Sequence, residues 1–335
     1  MARAGLDMEF QEVSPGRRNV VARLCAAGQL KRRIILAPHM DTVGGAVEEV
    51  FRPRIKGDRL YGRGACDTKG SIAAMAAALE DLLRSERRPR ETEIIFIGLV
   101  DEEHAQAGSR ALAASGLLAD LAIVGEPTRC RVVTAHKGSV WLKLMARGQA
   151  AHGAKPELGV NAVHTMARVV TLLETDYARS LRRGRHPLLG HPTVNVGTIA
   201  GGLQPNIVPD RCVIDIDRRT LPGETEAGVR REIAALLHDR DLAVLMTATK
   251  LSPCPALETD PRSPLVRQFM RHARQTQPAG VDFFCDAAVL AAAGIPAVVF
   301  GPGDIAQAHT RDEWVSLKSL ERAKDILVNF LSSLP

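Results

Sequence analysis

With 335 residues, 45% of them hydrophobic and 24% charged, the chain has the apolar mass for a substantial core and the length for two domains, and it reads as soluble and globular. Its longest apolar stretch, Ser71 to Leu83, is interrupted by Glu80 and Asp81, and Met1 to Phe10 has no apolar signal core, which argues against a membrane span and places the protein in the cytoplasm. The net charge of +6 comes in short separated groups (Arg32-Arg33, Arg87-Arg88, Arg182-Arg183) and aromatics are only 4%, so a nucleic-acid face is not expected and the positive balance favours small anionic substrates.

Six cysteines (Cys25, Cys66, Cys130, Cys212, Cys254, Cys285) are scattered with no C-x-x-C pair, so neither a disulfide framework nor a thiolate zinc site is expected. In chain order, Leu6 to Phe10 reads as a first strand close to Met1. Ile34-Ile35-Leu36-Ala37 then reads as a buried strand, and Ile72, Met75, Ala76, Leu79, Leu82 and Leu83 recur at helical steps of three and four. Ile94-Ile95-Phe96-Ile97 and Leu121-Ala122-Ile123-Val124 repeat the strand pattern, and so does Ala297-Val298-Val299-Phe300 near the end. Strands alternating with helices predict an α/β fold with a mainly parallel sheet covered by helices.

Between the third and fourth of these strands the rhythm changes. Strand 140–146, helix 158–175, strands 193–199 and 212–217, helix 225–238 and strand 242–246 give the order βαββαβ, a ferredoxin-like insert. The expected division is a catalytic domain over 1–137 and 250–335 with the insert over 138–249. Arg179 to Pro192, rich in Arg, Gly, His and Pro, is the expected flexible loop.

Polar residues follow every loaded strand. Pro38-His39-Met40-Asp41, Asp101-Glu102-Glu103, Gly125-Glu126-Pro127 and Gly301-Pro302-Gly303 leading to His309 all fall where ligands of parallel sheets gather. Zinc takes imidazole nitrogen and carboxylate oxygen, so His39, Asp67, Glu103, Glu126 and His309 are candidate ligands. Asp67 is the candidate bridge between two ions, and Glu102 remains as an unligated carboxylate.

The contexts His39-Met40-Asp41-Thr42-Val43, Gly62 to Gly70 around Asp67, Val100-Asp101-Glu102-Glu103, Val124-Gly125-Glu126-Pro127-Thr128 and Ala308-His309-Thr310 together resemble the dinuclear zinc aminoacylase and carboxypeptidase family, a metallopeptidase family that includes acetylornithine deacetylase, succinyl-diaminopimelate desuccinylase and glutamate carboxypeptidase. The resemblance implies two Zn(2+) ions, for which Co(2+) or Mn(2+) can substitute. His39 and Glu126 complete one site, Glu103 and His309 the other, and Asp67 bridges them. It implies that the Asp41 carboxylate accepts the second ring N–H of His39, that Asp67–Thr68 is a cis peptide, and that Glu102 is the general base for hydroxide attack on an amide carbonyl.

The same resemblance makes His152 of Ala151-His152-Gly153 a catalytic candidate that reaches the partner's site in a homodimer formed through the insert. It gives Asn206 and Arg219 to substrate binding, with Arg218 on the opposite face of its strand. Gly301 and Gly303 are candidates for bringing backbone amides to a substrate carboxylate, or simple turn residues. Relatives carry a leading helix before the first strand that has no counterpart ahead of Leu6. The expected substrate is an N-acyl amino acid or short peptide. A carboxypeptidase or dipeptidase is the second reading, and a non-catalytic amino-acid or metal-binding protein is the reading from another class.

Overall fold

The computed structural model describes residues 6–45, 48–249 and 253–335. The chain divides into two compact units, one of Met1–Ala135, Leu257–Gly280 and Cys285–Pro335, the other of His136–Ala256 with Val281–Phe284.

A nine-stranded sheet runs in the order Asp7–Ser14, Arg17–Leu24, Thr92–Gly98, Arg32–Pro38, Leu121–Gly125, Ala297–Val299, Val133–His136, Leu257–Glu258, with Ala279–Val281 beside Val133–His136. The four middle strands, Thr92–Gly98 to Ala297–Val299, are mutually parallel and are the four apolar runs read from the sequence. Their register aligns Ile34 with Ile94 and Leu121, so branched aliphatic side chains stack row on row. The flanking pairs are antiparallel. A mainly parallel sheet is thus the centre of an α/β unit whose outer strands reverse direction.

Helices Lys69–Arg84, Pro264–His272 and Leu317–Leu331 contribute to one apolar core. The first buries Ala74, Met75, Ala78, Leu79 and Leu82, turning Ala74 and Ala78 inward and leaving Ala76 only partly covered. Each large aliphatic side chain on that face contributes roughly 1.5–3 kcal/mol by leaving water. Phe269 packs against Phe300 and Phe330 at centroid distances of 4.9 and 4.6 Å and closes the core beneath the sheet.

The second unit carries a four-stranded antiparallel sheet in the order Thr193–Gly201, Arg211–Thr220, Gly138–Arg147, Val244–Ala248, with helices Ala162–Leu172 and Glu226–His238 sharing its core. This is the ferredoxin-like order. The first helix starts at Ala162 rather than 158, because Pro156–Leu158 forms a 3₁₀ turn and the Asn161 side chain accepts the N–H groups of Val163 and His164. Beyond Leu172 the chain stays helical through a π turn, Leu173–Tyr177, and on to Leu181. The stretch read as a loose loop is pinned: His186 and Gly190 exchange backbone hydrogen bonds of 2.8 and 3.0 Å, and Leu189 is buried. Val281–Phe284 belongs with this unit through a 2.8 Å Lys137–Asp282 ion pair and the stacking of Arg219 on Phe284.

Arg218 and Arg219 lie on opposite faces of their strand, as alternation requires. Arg218 is fully buried, with its guanidinium on Glu224 and its Nε donating to Tyr177 Oη at 3.1 Å. Glu224→Ala leaves that cation buried without its counter-charge and should cost about 3–5 kcal/mol in urea unfolding. Removing the partly exposed Asp217–Arg219 pair with Asp217→Asn should cost about 1 kcal/mol or less. Equal costs would mean that Arg218 is not the internal ion of this unit.

Candidate metal centre

The ends of three parallel strands supply the first residues. His39 follows Arg32–Pro38 and is bridged to Leu99, Glu102 and Glu103 follow Thr92–Gly98, and Glu126 follows Leu121–Gly125. Asp67 comes from the loop between the short strand Arg59–Tyr61 and helix Lys69–Arg84, and the Asp67–Thr68 peptide is cis. His309 stands between Ala297–Val299 and Trp314–Ser316 with a left-handed φ of 61°.

The five sequence-predicted ligands are brought together. His39 Nε2 is 3.0 Å from Asp67 Oδ1 and 3.9 Å from Glu126 Oε1. His309 Nε2 is 3.3 Å from Asp67 Oδ2 and 3.2 Å from the Glu103 carboxylate. The two oxygens of Asp67 therefore face different histidines, each accompanied by its own glutamate. His39, Asp67 and Glu126 are buried, while the His309 side chain is 53% exposed and forms the open side.

Ligand atoms of His39, Asp67 and Glu103 lie within 4.8 Å of one another, and so do those of His39, Glu102 and Glu126. Glu102 is thus drawn into the His39–Glu126 group rather than standing apart from it. The donor set fits divalent cations with a taste for imidazole and carboxylate. The neighbouring thiol does not join it: Cys66 Sγ donates to the Asp304 carbonyl, and burial pushes its pKa up to about 12.

Asp41 differs in detail from its expected role. His39 Nδ1 lies 3.0 Å from the Asp41 backbone carbonyl and 3.6 Å from its carboxylate. The carboxylate instead accepts the backbone N–H groups of Glu102 and Glu103 at 3.2 and 3.1 Å, so one residue sets both the imidazole and the glutamate pair. The Gly301 N–H donates to Thr128 Oγ1 and the Gly303 N–H to Ser319 Oγ, and a Cβ at Gly301 would lie 2.3 Å from Ser71 Oγ, so both amides have partners within the protein.

In the second unit His152 and Asn206 are exposed neighbours, with Gly153 N–H donating to the Asn206 carbonyl at 2.7 Å and His152 bridged to Ile207. Arg219 is oriented by Asp217 at 2.9 Å.

Two acids of the first unit carry no signal in the sequence. Asp286 accepts the Ser109 hydroxyl, and burial raises its pKa to about 6. Glu313 is buried beside Arg63, whereas its neighbour Asp312 is 77% exposed. In sequence the two are simply adjacent acids.

Electrostatics follow from crowding. Burial, reinforced by Asp286, Asp67 and Glu103, lifts Glu102 well above the ordinary carboxylate range, and burial with Asp67 and Glu102 lifts Glu126. Burial would also lift Asp67, but hydrogen bonds from His309 and His39 hold it well below that range. Burial would lower His39, yet its contacts with Asp41 and Asp67 keep it well above its usual value.

A model of peptidase family M20/M25/M40 matches residues 35–333. The chain is 33% identical to an acetylornithine deacetylase of Myxococcus xanthus over 319 residues, 92% of this chain and 82% of the relative. It superposes on a tripeptidase from Staphylococcus aureus with a TM-score of 0.79 at 20% identity, covering 99% of this chain and 89% of the other. It superposes equally on an M20 family metallo-carboxypeptidase from Sulfolobus solfataricus, with a TM-score of 0.78 at 18% identity and 98% and 90% coverage. The chain belongs to peptidase family M20/M25/M40 and is a hydrolase of amide bonds.

The contacts of His309 with Asp67 and Glu103 raise its pKa from the ordinary 6.5 to about 9. A cation needs the neutral ring, so binding at pH 7 should release protons, and affinity should climb with pH and level off above about 9. In chelator-treated protein the same imidazolium stabilises the fold fully below pH 6.5, and that contribution is lost as pH rises through about 9. Calorimetric titration in buffers of different ionisation enthalpy reads the release directly. Buffer-independent heats at pH 7 would contradict the arrangement.

Proposed function

We propose that the chain is a two-zinc deacylase that hydrolyses the amide bond of an N-acyl amino acid. The observation that carries this reading is the split of Asp67: one oxygen toward His39 and Glu126, the other toward His309 and Glu103. Identity of 33% with an acetylornithine deacetylase favours an acylated amino acid over a peptide as substrate, since the peptidase likenesses at 18–20% identity speak for fold alone.

His39, Asp67 and Glu126 would hold one ion, and Asp67, Glu103 and His309 the other. Such a pair supplies Lewis acidity to water and to the amide carbonyl. Glu102 takes the proton of the attacking water and returns it to the leaving amine nitrogen, a task suited to a carboxylate whose proton affinity is raised by burial and by Asp286. Asp41 keeps His39 in place and, through the amides of Glu102 and Glu103, keeps the base in register with the donors.

On the second unit, Arg219 offers a planar fork for a substrate carboxylate, and Asn206 and His152 offer neighbouring polar groups. The proposal includes a homodimer through this unit in which His152 of one copy serves the site of the other. It also includes a cytoplasmic location, a reducing compartment that suits the buried thiols of Cys66, Cys130, Cys212 and Cys285.

A panel of acetylated, succinylated and glutamyl amino acids, run with and without chelator, tests the reading. Chelator-sensitive release of free amino acid from an acetyl or succinyl substrate is expected. Glu102→Gln should lower kcat by roughly 10²–10⁴-fold while bound zinc is retained. Normal turnover in that variant, or hydrolysis indifferent to chelator, would sink the assignment.

A further inference from the structure

Asp67 is held in place by a residue that lies far away in the chain. Glu313 is buried, with its side chain 2% exposed, and its carboxylate is saturated by a single loop. Its Oε1 accepts the backbone N–H groups of Cys66 and Asp67 at 2.9 and 3.0 Å. Its Oε2 accepts the N–H of Gly64 at 3.0 Å and a guanidinium N–H of Arg63 at 2.7 Å. The Glu313 carbonyl also accepts the N–H of Gly62 at 3.0 Å. The segment from Gly62 to Asp67 thus wraps one carboxylate as such amide-lined loops wrap an anion.

The loop needs this anion. Three converging amides and a buried guanidinium have no water to turn to, and each buried donor left unpaired is costly. The geometry also explains one glycine of the loop. Gly64 has a φ of +79°, and a Cβ there would meet Thr42 at 2.7 Å, so the loop closes round the acid only with glycine at this point.

The connection to the metal centre is direct. Glu313 follows His309 by four residues and precedes the strand Trp314–Ser316, which pairs with Arg59–Tyr61, the strand that leads into the loop. One short stretch of chain therefore carries His309, which reaches Asp67 Oδ2, and Glu313, which grips the Asp67 backbone.

We propose that Glu313 is the positioning residue for Asp67: by filling the Gly62–Asp67 loop as an internal anion it fixes the backbone from which the Asp67 carboxylate reaches His39 and His309 at once. This rests on the reading of Asp67 as the bridge between two ions. The Glu313 carboxylate is buried and fully occupied by the loop, so its effect passes through Asp67. Losing its grip lets the loop turn, and the two oxygens no longer fall between the two histidines.

The test uses the full chain, stripped with chelator and titrated with Co(2+), and follows binding by calorimetry and by the visible absorption of the bound metal. Glu313→Gln keeps the volume and one acceptor oxygen but turns an N–H₂ toward the Gly64 and Arg63 donors. It should weaken Co(2+) binding by about 10- to 100-fold and shift the visible band, as loss of a group that orients a ligand does. Arg63→Met removes the cation and keeps the three amide bonds, and should change affinity by less than about 3-fold. Thermal unfolding of each stripped variant shows which of them fold. Glu313→Gln with unchanged affinity and spectrum overturns the proposal. So does Arg63→Met weakening Co(2+) as much as Glu313→Gln does, because a buried ion pair would then be the cause. Wild-type protein that binds fewer than two Co(2+) ions removes the bridge itself, and fails the functional reading separately from the role of Glu313.

Discussion

Asp67, Glu102, Glu103, Glu126 and Asp286 act on one another's charge across a largely buried space into which the imidazoles of His39 and His309 reach. Carboxylates confined this way repel one another, and the protein answers with raised proton affinity at Glu102, Glu103, Glu126 and Asp286. Only Asp67 stays well below the ordinary range, because both histidines donate to it. On the proposed reading, divalent cations would relieve the same repulsion, one on each side of Asp67. The fold is arranged to maintain this crowding against its cost.

The parallel strands present His39, the Glu102–Glu103 pair and Glu126 on neighbouring strand ends, and the apolar rows behind them make that presentation rigid. The residues that come from outside the strands need other means. Asp41 ties His39 to the glutamate pair through two amides, and Glu313 ties the Asp67 loop to the segment that carries His309. The donors of the centre are thus fixed mainly by backbone hydrogen bonds to carboxylates. Those bonds survive in a region where apolar packing is interrupted by charge.

The four parallel strands were legible because their apolar runs are short, β-branched and followed at once by charged residues, a pattern that burial on both faces imposes. The insert was legible through its alternation, and strand period put Arg218 and Arg219 on opposite faces, while the choice of Arg219 rested on the family resemblance. The antiparallel strand Arg17–Leu24, the three-residue strands Arg54–Lys56 and Arg59–Tyr61, and the closure of His186–Gly190 were not, since such elements are set by their partners rather than by their own composition. Within the site the five side chains that come together could be read from residue contexts. Asp286 and Glu313 could not, because a buried acid and an exposed one look alike in sequence, and only the converging amides and hydroxyl reveal which is which. For Gly301 and Gly303 residue type left two uses open, and the structure adds that their N–H groups donate to Thr128 and Ser319.

The most direct measurement is anomalous diffraction at the zinc edge from crystals grown with zinc. The account predicts two peaks, roughly 3.5–4 Å apart as in two-metal hydrolases, one beside His39 and Glu126 and the other beside Glu103 and His309, with a separate oxygen of Asp67 on each. A single peak, or two peaks that do not share Asp67, would contradict it.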